Sequence, residues 1–285
     1  MMQPFKHSQR RLMCLLLVLF LMLPGIPRVR AAQTAEPIHL LLVGQDRQEG
    51  QTARSDSMIL CSIHPETKQM VLTSFLRDLY VPIPGWGSNR INAAYAFGGI
   101  SLLEKTLEEN FQIPIQGSIQ VDFSQFAQII DLLGGVELEL RQDEADHIAK
   151  ETGSVLSAGR QHLDGAQALS YSRIRRLDKD GDFSRTQRQR QVLNQLLENY
   201  RDANFVTVAK LVGKVIPMIT TDLSARELLN YAITLFPILS QMTITAQRIP
   251  ADGTYRDETI DNMQVLVADM EKARQLLQET VNPKT

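Results

Sequence analysis

Three apolar runs close together near the start constrain this chain most: "IHLLLVG" at 38–44, "SMILCSI" at 57–63 and "QMVLTSF" at 69–75. Each is too short for a typical helix and too continuously apolar for a strand wetted on one face. Such runs read as strands buried on both sides. A sheet covered on both faces needs helices above and below it. Helical patterns supply them at 101–111, 124–135, 163–173, about 184–200, 205–216, 224–239 and 260–281. "SIQVDF", the alternating "VELEL" at 136–140 and "MTITAQRIP" read as further strands, "VELEL" as an edge or half-exposed one. The prediction is an α/β fold: a single domain with a mixed central β-sheet and helices on both faces, an α-β-α sandwich. With 44% hydrophobic residues in 285, the chain can fill such a core.

The N-terminus stands apart. Lys6, Arg10 and Arg11 precede "LMCLLLVLFLML", Leu12 to Leu23, which stops at Pro24-Gly25. A spanning helix needs about 20 apolar residues, so this run has the length of a signal-peptide core. "VRA" at 29–31 suits cleavage, with an uncleaved anchor as the alternative. Residues 1–35 are therefore assigned to a signal peptide or membrane anchor and 36–285 to the folded domain, exported or held at the outer face of the cytoplasmic membrane. Cys14 lies in the leader and Cys61 in a strand-like run, so neither a disulfide framework nor a cysteine metal site is expected. The five histidines show no ligand spacing. A net charge of −2 steers nothing globally toward nucleic acid.

Charge is instead local. The first run ends at Asp46-Arg47; Arg54, Ser55 and Asp56 precede the second; the third runs into Arg77-Asp78. In α/β sheets, ligand-binding groups gather at strand ends. A second cluster is "SRIRRLDKDGDFSRTQRQR", Ser172 to Arg190. Ser184 and Gln187 form an S-x-x-Q signature for a helix start. Arg185, Arg188 and Gln189 then share a face that continues into Val192, Leu193 and Leu196, the core stripe. Arginine is seldom buried unpaired, so an anion must meet these two. Either Asp178, Asp180 and Asp182 neutralise them, or a ligand does. A helix N-terminus with two arginine forks makes a good phosphate grip. Arg176 and Arg190 fall off this face and read as solvated surface. Carboxylates without histidine or cysteine partners suit Mg²⁺, and Mg²⁺ with several arginines suits a pyrophosphate. There is no P-loop, G-x-G-x-x-G or G-x-S-x-G.

In order from residue 40 to about 193, the segments "LLLVGQDR", "RSDSMIL", "TSFLRDLYVPIPG", "RINAAYAFGG", "VDFSQFAQIIDLLGGVEL", "LDGAQALSYSRIR" and "GDFSRTQRQRQVL" resemble the LytR–CpsA–Psr family of bacterial cell-wall enzymes. The resemblance implies a phosphotransferase that moves a glycopolymer, such as teichoic acid or capsule, from undecaprenyl pyrophosphate onto peptidoglycan through a phosphodiester. It implies Mg²⁺, with Mn²⁺ as a substitute, held by Asp46 and Asp56. Arg47, Arg54, Arg77, Arg173, Arg175, Arg185, Arg188 and Gln189 match the pyrophosphate-binding positions, and Asp182 the supporting acid. Arg77, Asp78, Arg175 and Arg188 take the catalytic roles, with Asp78 either orienting Arg77 or acting as a base. Arg47 follows Asp46 directly, where many members insert a residue. The implied partners are the lipid-linked glycopolymer, peptidoglycan and membrane lipid, with no nucleic acid. On this reading Ala at Arg175 or Arg188 removes transfer and leaves the protein folded. A hydrolase of the same lipid pyrophosphate, and a non-catalytic binder of anionic wall polymer or lipid, are the alternatives. Phe123, Phe126, Ile129 and Ile130 are candidates to line a lipid tunnel, but at helical spacing they read first as plain core.

Overall fold

The three apolar runs become neighbouring strands. In the computed structural model, which describes residues 37–46, 54–179 and 181–281, they are β1 (Ile38–Asp46), β2 (Arg54–His64) and β3 (Gln69–Phe75). β1–β2 and β2–β3 are antiparallel, and β4 (Tyr80–Ile83) and β5 (Gly87–Arg90) form a separate antiparallel hairpin. β6 (Gly117–Asp122) joins β1 in parallel, and β10 (Thr243–Ile249) joins β3 in parallel. With the short antiparallel β9 (Thr220–Thr221) the sheet order is β10-β3-β2-β1-β6-β9, a mixed sheet as expected.

The helices are α1 (Asn92–Phe111), α2 (Phe123–Leu132), α3 (Gln142–Thr152), α4 (Gly165–Arg173), α5 (Asp182–Asn199), α6 (Phe205–Val215), α7 (Ala225–Leu235) and α8 (Met270–Val281). Strand periodicity sorts them to two faces. Leu41, Val43, Met58, Leu60 and Phe75 pack with Leu103, Leu107 and Phe111 of α1 and Ala273 and Leu277 of α8. On the other face Leu40, Ile59, Cys61, Ile63 and Leu72 meet Leu193 and Leu197 of α5 and Leu228 and Leu235 of α7. Cys61 is thus a buried core residue, its thiol pushed up to about 12 by that burial.

Several boundaries differ from expectation, each for a local reason. "VELEL" is β7 (Val136–Leu140), but it pairs with β8 (Gly159–Leu163) outside the main sheet. This hairpin closes a third core with Ala145 and Ile148 of α3, Tyr171 of α4 and Val192 of α5. The stretch 260–281 is only half helix: β11 (Tyr255–Ile260) and β12 (Met263–Ala268) form a hairpin before α8. Its two-residue turn is Asp261-Asn262, both at positive φ, which Asp and Asn tolerate better than most. α1 starts at Asn92 rather than at 101 and bends where Gly98 and Gly99 leave helical angles. α2 is capped by Asp122, whose carboxylate accepts from Gln125 N–H in a reciprocal box, two residues ahead of the start at 124 that the helical pattern gives. α5 starts at Asp182 with Gly181 at the N-cap, so Ser184 lies inside the first turn and the S-x-x-Q box does not form. The expected leader, Arg47 and Asp180 lie outside the described residues, as do the side chains of Asp46 and Arg54.

Candidate active site

A β-bulge aims the first acid. Gly44 faces Ser57 while the next residue, Gln45, faces Ser55, so Asp56 is left without a partner in β1. A bulge turns an extra side chain out of the ladder's alternation. Asp56 and Ser57 consequently both border one cavity instead of facing opposite sides of the sheet. Gly44 permits the close approach: a Cβ there would lie 3.1 Å from Ser57 Cβ.

Arg77 and Asp78 come from a tightly held turn. Leu76 N–H donates to Ile249 C=O at 2.9 Å, Ile91 N–H to Leu79 C=O at 2.7 Å, and Leu266 N–H to Asp78 C=O at 2.9 Å. Backbone from three other segments thus fixes two adjacent charged residues. Arg77 Nη1 donates to Asp56 Oδ1 at 3.1 Å, and its Nε lies 3.5 Å from Asp78 Oδ2. Asp78 Oδ1 accepts from Arg90 Nη1 at 3.2 Å. Asp78 therefore sits between two arginines and orients Arg77. Arg90, the first residue of "RINAAYAFGG", was not singled out from sequence, where nothing marks it as Asp78's partner.

The second cluster supplies the opposite wall. Arg185 is buried; its Nη2 donates to the Asp56 backbone oxygen at 2.8 Å and lies 2.8 Å from Asp182 Oδ1. Arg175, in the loop after α4, places Nη2 3.8 Å from Asp56 Oδ1 and Nε 3.6 Å from Asp182 Oδ1. Gln189 accepts from Ser57 Oγ at 2.9 Å. Arg173 lies over the Phe123 ring, 4.5 Å from its centre. Asp182 is the hub: burial, partly offset by Arg77 and Arg175, raises its carboxyl to about 6. Among the described residues, Arg77 Nε, Arg185 Nε and both Asp182 oxygens are buried without a hydrogen-bond partner. Buried polar groups are normally satisfied, so this cluster has unspent bonding capacity.

Beyond these charges the cavity is apolar. Its volume is about 1240 Å³, and Leu42, Ile59, Ile119, Phe126, Ile129, Leu193, Leu196 and Val215 line it. Phe123, Phe126, Ile129 and Ile130, expected as plain core, all border it. The cavity is therefore an apolar chamber with a cationic patch: Arg77, Arg175 and Arg185 meet at Asp56, and Arg173 borders the same cavity over Phe123.

Two arginines behave differently from expectation. Arg188 does not border the cavity. Its Nε donates to Glu144 Oε1 at 2.8 Å, its Nη1 to the Ile174 C=O at 3.3 Å, and its Nη2 bonds to Asp178. Only 4% of its side chain is exposed. For Arg188 the acids, one of them the unforeseen Glu144, supply the neutralisation. Arg190 is not solvated surface: its Nη1 donates to Ser74 Oγ at 2.7 Å, and burial beside Arg248 lowers it to about 10. Arg176 is exposed, as expected. Asp46 and Arg54 face each other across β1 and β2 by backbone register, beside the bulge.

The model of the LytR_cpsA_psr family matches residues 25–282. TagU of Bacillus cereus, named a polyisoprenyl-teichoic acid–peptidoglycan teichoic acid transferase, is 40% identical over 179 residues, which is 61% of this chain and 56% of TagU. The chain thus spans little more than half the length of that relative. A structure of TagT bound to LIIa-WTA is similar with a TM-score of 0.71 and 28% identity, covering 86% of this chain and 91% of that one. YwtF (TagT), a Bacillus subtilis protein, with bound octaprenyl pyrophosphate lipid, gives 0.67 and 26%, covering 86% and 90%.

Proposed function

From the chain's membership of the LytR–CpsA–Psr family, we propose that it is a phosphotransferase that moves a glycopolymer from a polyprenyl-pyrophosphate carrier to peptidoglycan. The observation that carries this reading is the cavity itself: four arginines, two of them (Arg77 and Arg185) with an unpartnered Nε, border an apolar chamber of about 1240 Å³. A polyprenyl pyrophosphate has the matching form, a dianionic head on a long hydrocarbon tail. TagU's name and the TagT structures holding octaprenyl pyrophosphate and lipid-linked polymer support the same substrate class.

The chemistry follows from the placement. An acceptor hydroxyl attacks the phosphorus that bears the glycopolymer. The new P–O bond forms to the acceptor oxygen, the bond to the bridging oxygen breaks, and lipid phosphate leaves, the hydroxyl proton passing in the net balance to that phosphate or to solvent. Charge spreads over the phosphoryl oxygens, and Arg77, Arg175 and Arg185 stabilise it from two sides. Asp78 positions Arg77, because both its oxygens face arginines. Gln189 and Ser57 hold the wall between them.

Mg²⁺ fits the donor set on one condition. Among the described residues no group of three or more acidic, histidine or cysteine side chains could hold a metal alone. Mg²⁺ is commonly held by one or two carboxylates with substrate phosphates completing the shell. Asp56, turned into the cavity by the bulge, and Asp46 beside it would be those carboxylates. When bound, the ion would neutralise phosphoryl oxygens.

We place the enzyme outside the cytoplasm, at the outer face of the cytoplasmic membrane, where carrier and wall meet. No helix among the described residues is long and apolar enough to cross a membrane, and the run Leu12–Leu23 lies outside them. The test is reconstitution with an undecaprenyl-pyrophosphate saccharide, a glycan acceptor and Mg²⁺. Phosphodiester product with stoichiometric lipid phosphate is expected. Equal release of lipid phosphate without acceptor would replace this reading by hydrolysis; metal-independent binding without turnover would replace it by a carrier or binder.

A further inference from the structure

Trp86 and Phe97 form a solvent-facing aromatic pair that the diphosphate site does not use. Their rings stack at 4.5 Å between centres and 15° between planes, and the residues are 56% and 38% exposed. Isolated exposed apolar residues are ordinary, but a stacked exposed pair on a built support marks contact with something else. The support is built by glycines. Trp86 lies between Gly85 and Gly87, both at positive φ (79° and 73°), and its N–H donates to Ile83 C=O at 2.9 Å. Phe97 precedes the Gly98-Gly99 break in α1, and Gly98 is closely packed, since a Cβ would lie 2.7 Å from Leu102 Cβ.

The pair is continuous with the cavity. Phe97 borders it. α1 begins where Asn92 N–H donates to the Arg77 C=O at 3.3 Å, and Phe97 lies five residues on, about 7.5 Å along the axis. Along the chain the pair's neighbours are uncharged: residues 81–89 and 91–103 contain no Asp, Glu, Lys or Arg, and Arg90 between them is paired with Asp78.

We propose that Trp86, backed by Phe97, is a stacking platform for a sugar ring of the acceptor glycan; this rests on the transferase reading above. A β-1,4-linked hexosamine carries its substituents equatorially, so its ring faces are flat and lined with C–H groups, which suit an indole face. An anionic donor polymer would call for cations, and these segments have none. The platform would hold a glycan strand beside the arginines, so that its hydroxyl approaches the phosphorus.

Trp86 is the chain's one tryptophan, so its emission reports on this surface directly. Chitotetraose titrated into the full protein should give a saturable change in Trp86 fluorescence. Trp86→Ala should raise the acceptor KM roughly tenfold with kcat nearly kept, while the affinity for polyprenyl pyrophosphate stays as in wild type; Trp86→Phe should restore most of the acceptor affinity. Unchanged acceptor KM in Trp86→Ala, or an emission shift with phosphatidylglycerol vesicles and none with chitotetraose, would overturn the platform, the latter in favour of a membrane contact. Loss of the transferase reading shows separately, as wild-type protein that binds no polyprenyl pyrophosphate.

Discussion

Arg188 and Arg175 look equivalent in the sequence, and their replacements should fail in opposite ways. Arg188 is 4% exposed and shares charge with Glu144, itself 5% exposed, and Asp178 at 17%. Arg188→Met would leave Glu144 Oε1 without its 2.8 Å bond and Asp178 with Arg141 alone. Removing one partner of a buried pair costs about 3–5 kcal/mol. For a domain of this size that lowers Tm by about 6–20 °C, at roughly 2–4 °C per kcal/mol. Adding Glu144→Gln and Asp178→Asn removes the stranded charges and should return most of the loss. Arg175 is 34% exposed with ion pairs at 3.6 and 3.8 Å, a geometry that contributes about 1 kcal/mol or less. Arg175→Ala should therefore melt near wild type and lose pyrophosphate binding. The assay is calorimetry beside equilibrium binding of polyprenyl pyrophosphate. A Tm for Arg188→Met within about 2 °C of wild type, with binding abolished, would refute the structural role and return Arg188 to the ligand. Any activity lost by Arg188→Met has a second route. Its bonds to Ile174 C=O and Asp178 brace the loop that carries Arg175.

Two further outcomes follow from the same geometry. Asp182 holds its proton up to about pH 6 in the folded protein, against an ordinary 3.8. Its contribution to stability therefore declines as pH rises from about 4 to 6, because the unfolded carboxyl ionises first. Once neutral, it frees Arg77, Arg175 and Arg185 from a competing charge. Affinity for a diphosphate diester, which does not titrate in this range, should rise as pH falls from 7 to 5.5, and Asp182→Asn should bind tightly and without that slope; a parallel pH profile in the variant would exclude Asp182 as the source. Gly165→Ala should destabilise the domain by about 1–3 kcal/mol or more, since a Cβ there would lie 2.0 Å from the Ala127 backbone oxygen where α4 meets α2. Chemical denaturation measures it, and a wild-type midpoint would show that the two helices can separate without loss.

Much of this was legible because it is local. Period and run length located β1, β2 and β3, and the start of α4 followed from its pattern at 163–173, where the Asp164–Gln167 box closes within four residues. The hairpin at 255–268 escaped because its apolar positions also fit a helical face, and the Asp-Asn turn was its one local sign. Asp56 could be placed at a strand end, but its aim depends on a one-residue register shift against β1, a relation between strands that no single segment contains.

The arginines show most clearly where sequence reasoning stops. Helical phase puts Arg188 about 60° from Arg185 and Gln189 about 40°. A rule that positions three and four apart share a face treats both as neighbours. Here the helix lies between two chambers, and those two offsets fall on opposite sides of Arg185. Gln189 and Leu193 border the cavity, while Arg188 and Val192 turn toward the core under β7 and β8. What fixes Arg188 is Glu144, 44 residues away and on another helix. Its charge was countable in the sequence, but its distance was not. An arginine on a core-facing stripe does imply a buried anion, and that inference holds for both residues. Whether the anion is a ligand or a side chain is decided by which chamber the stripe faces, and that is a property of the fold.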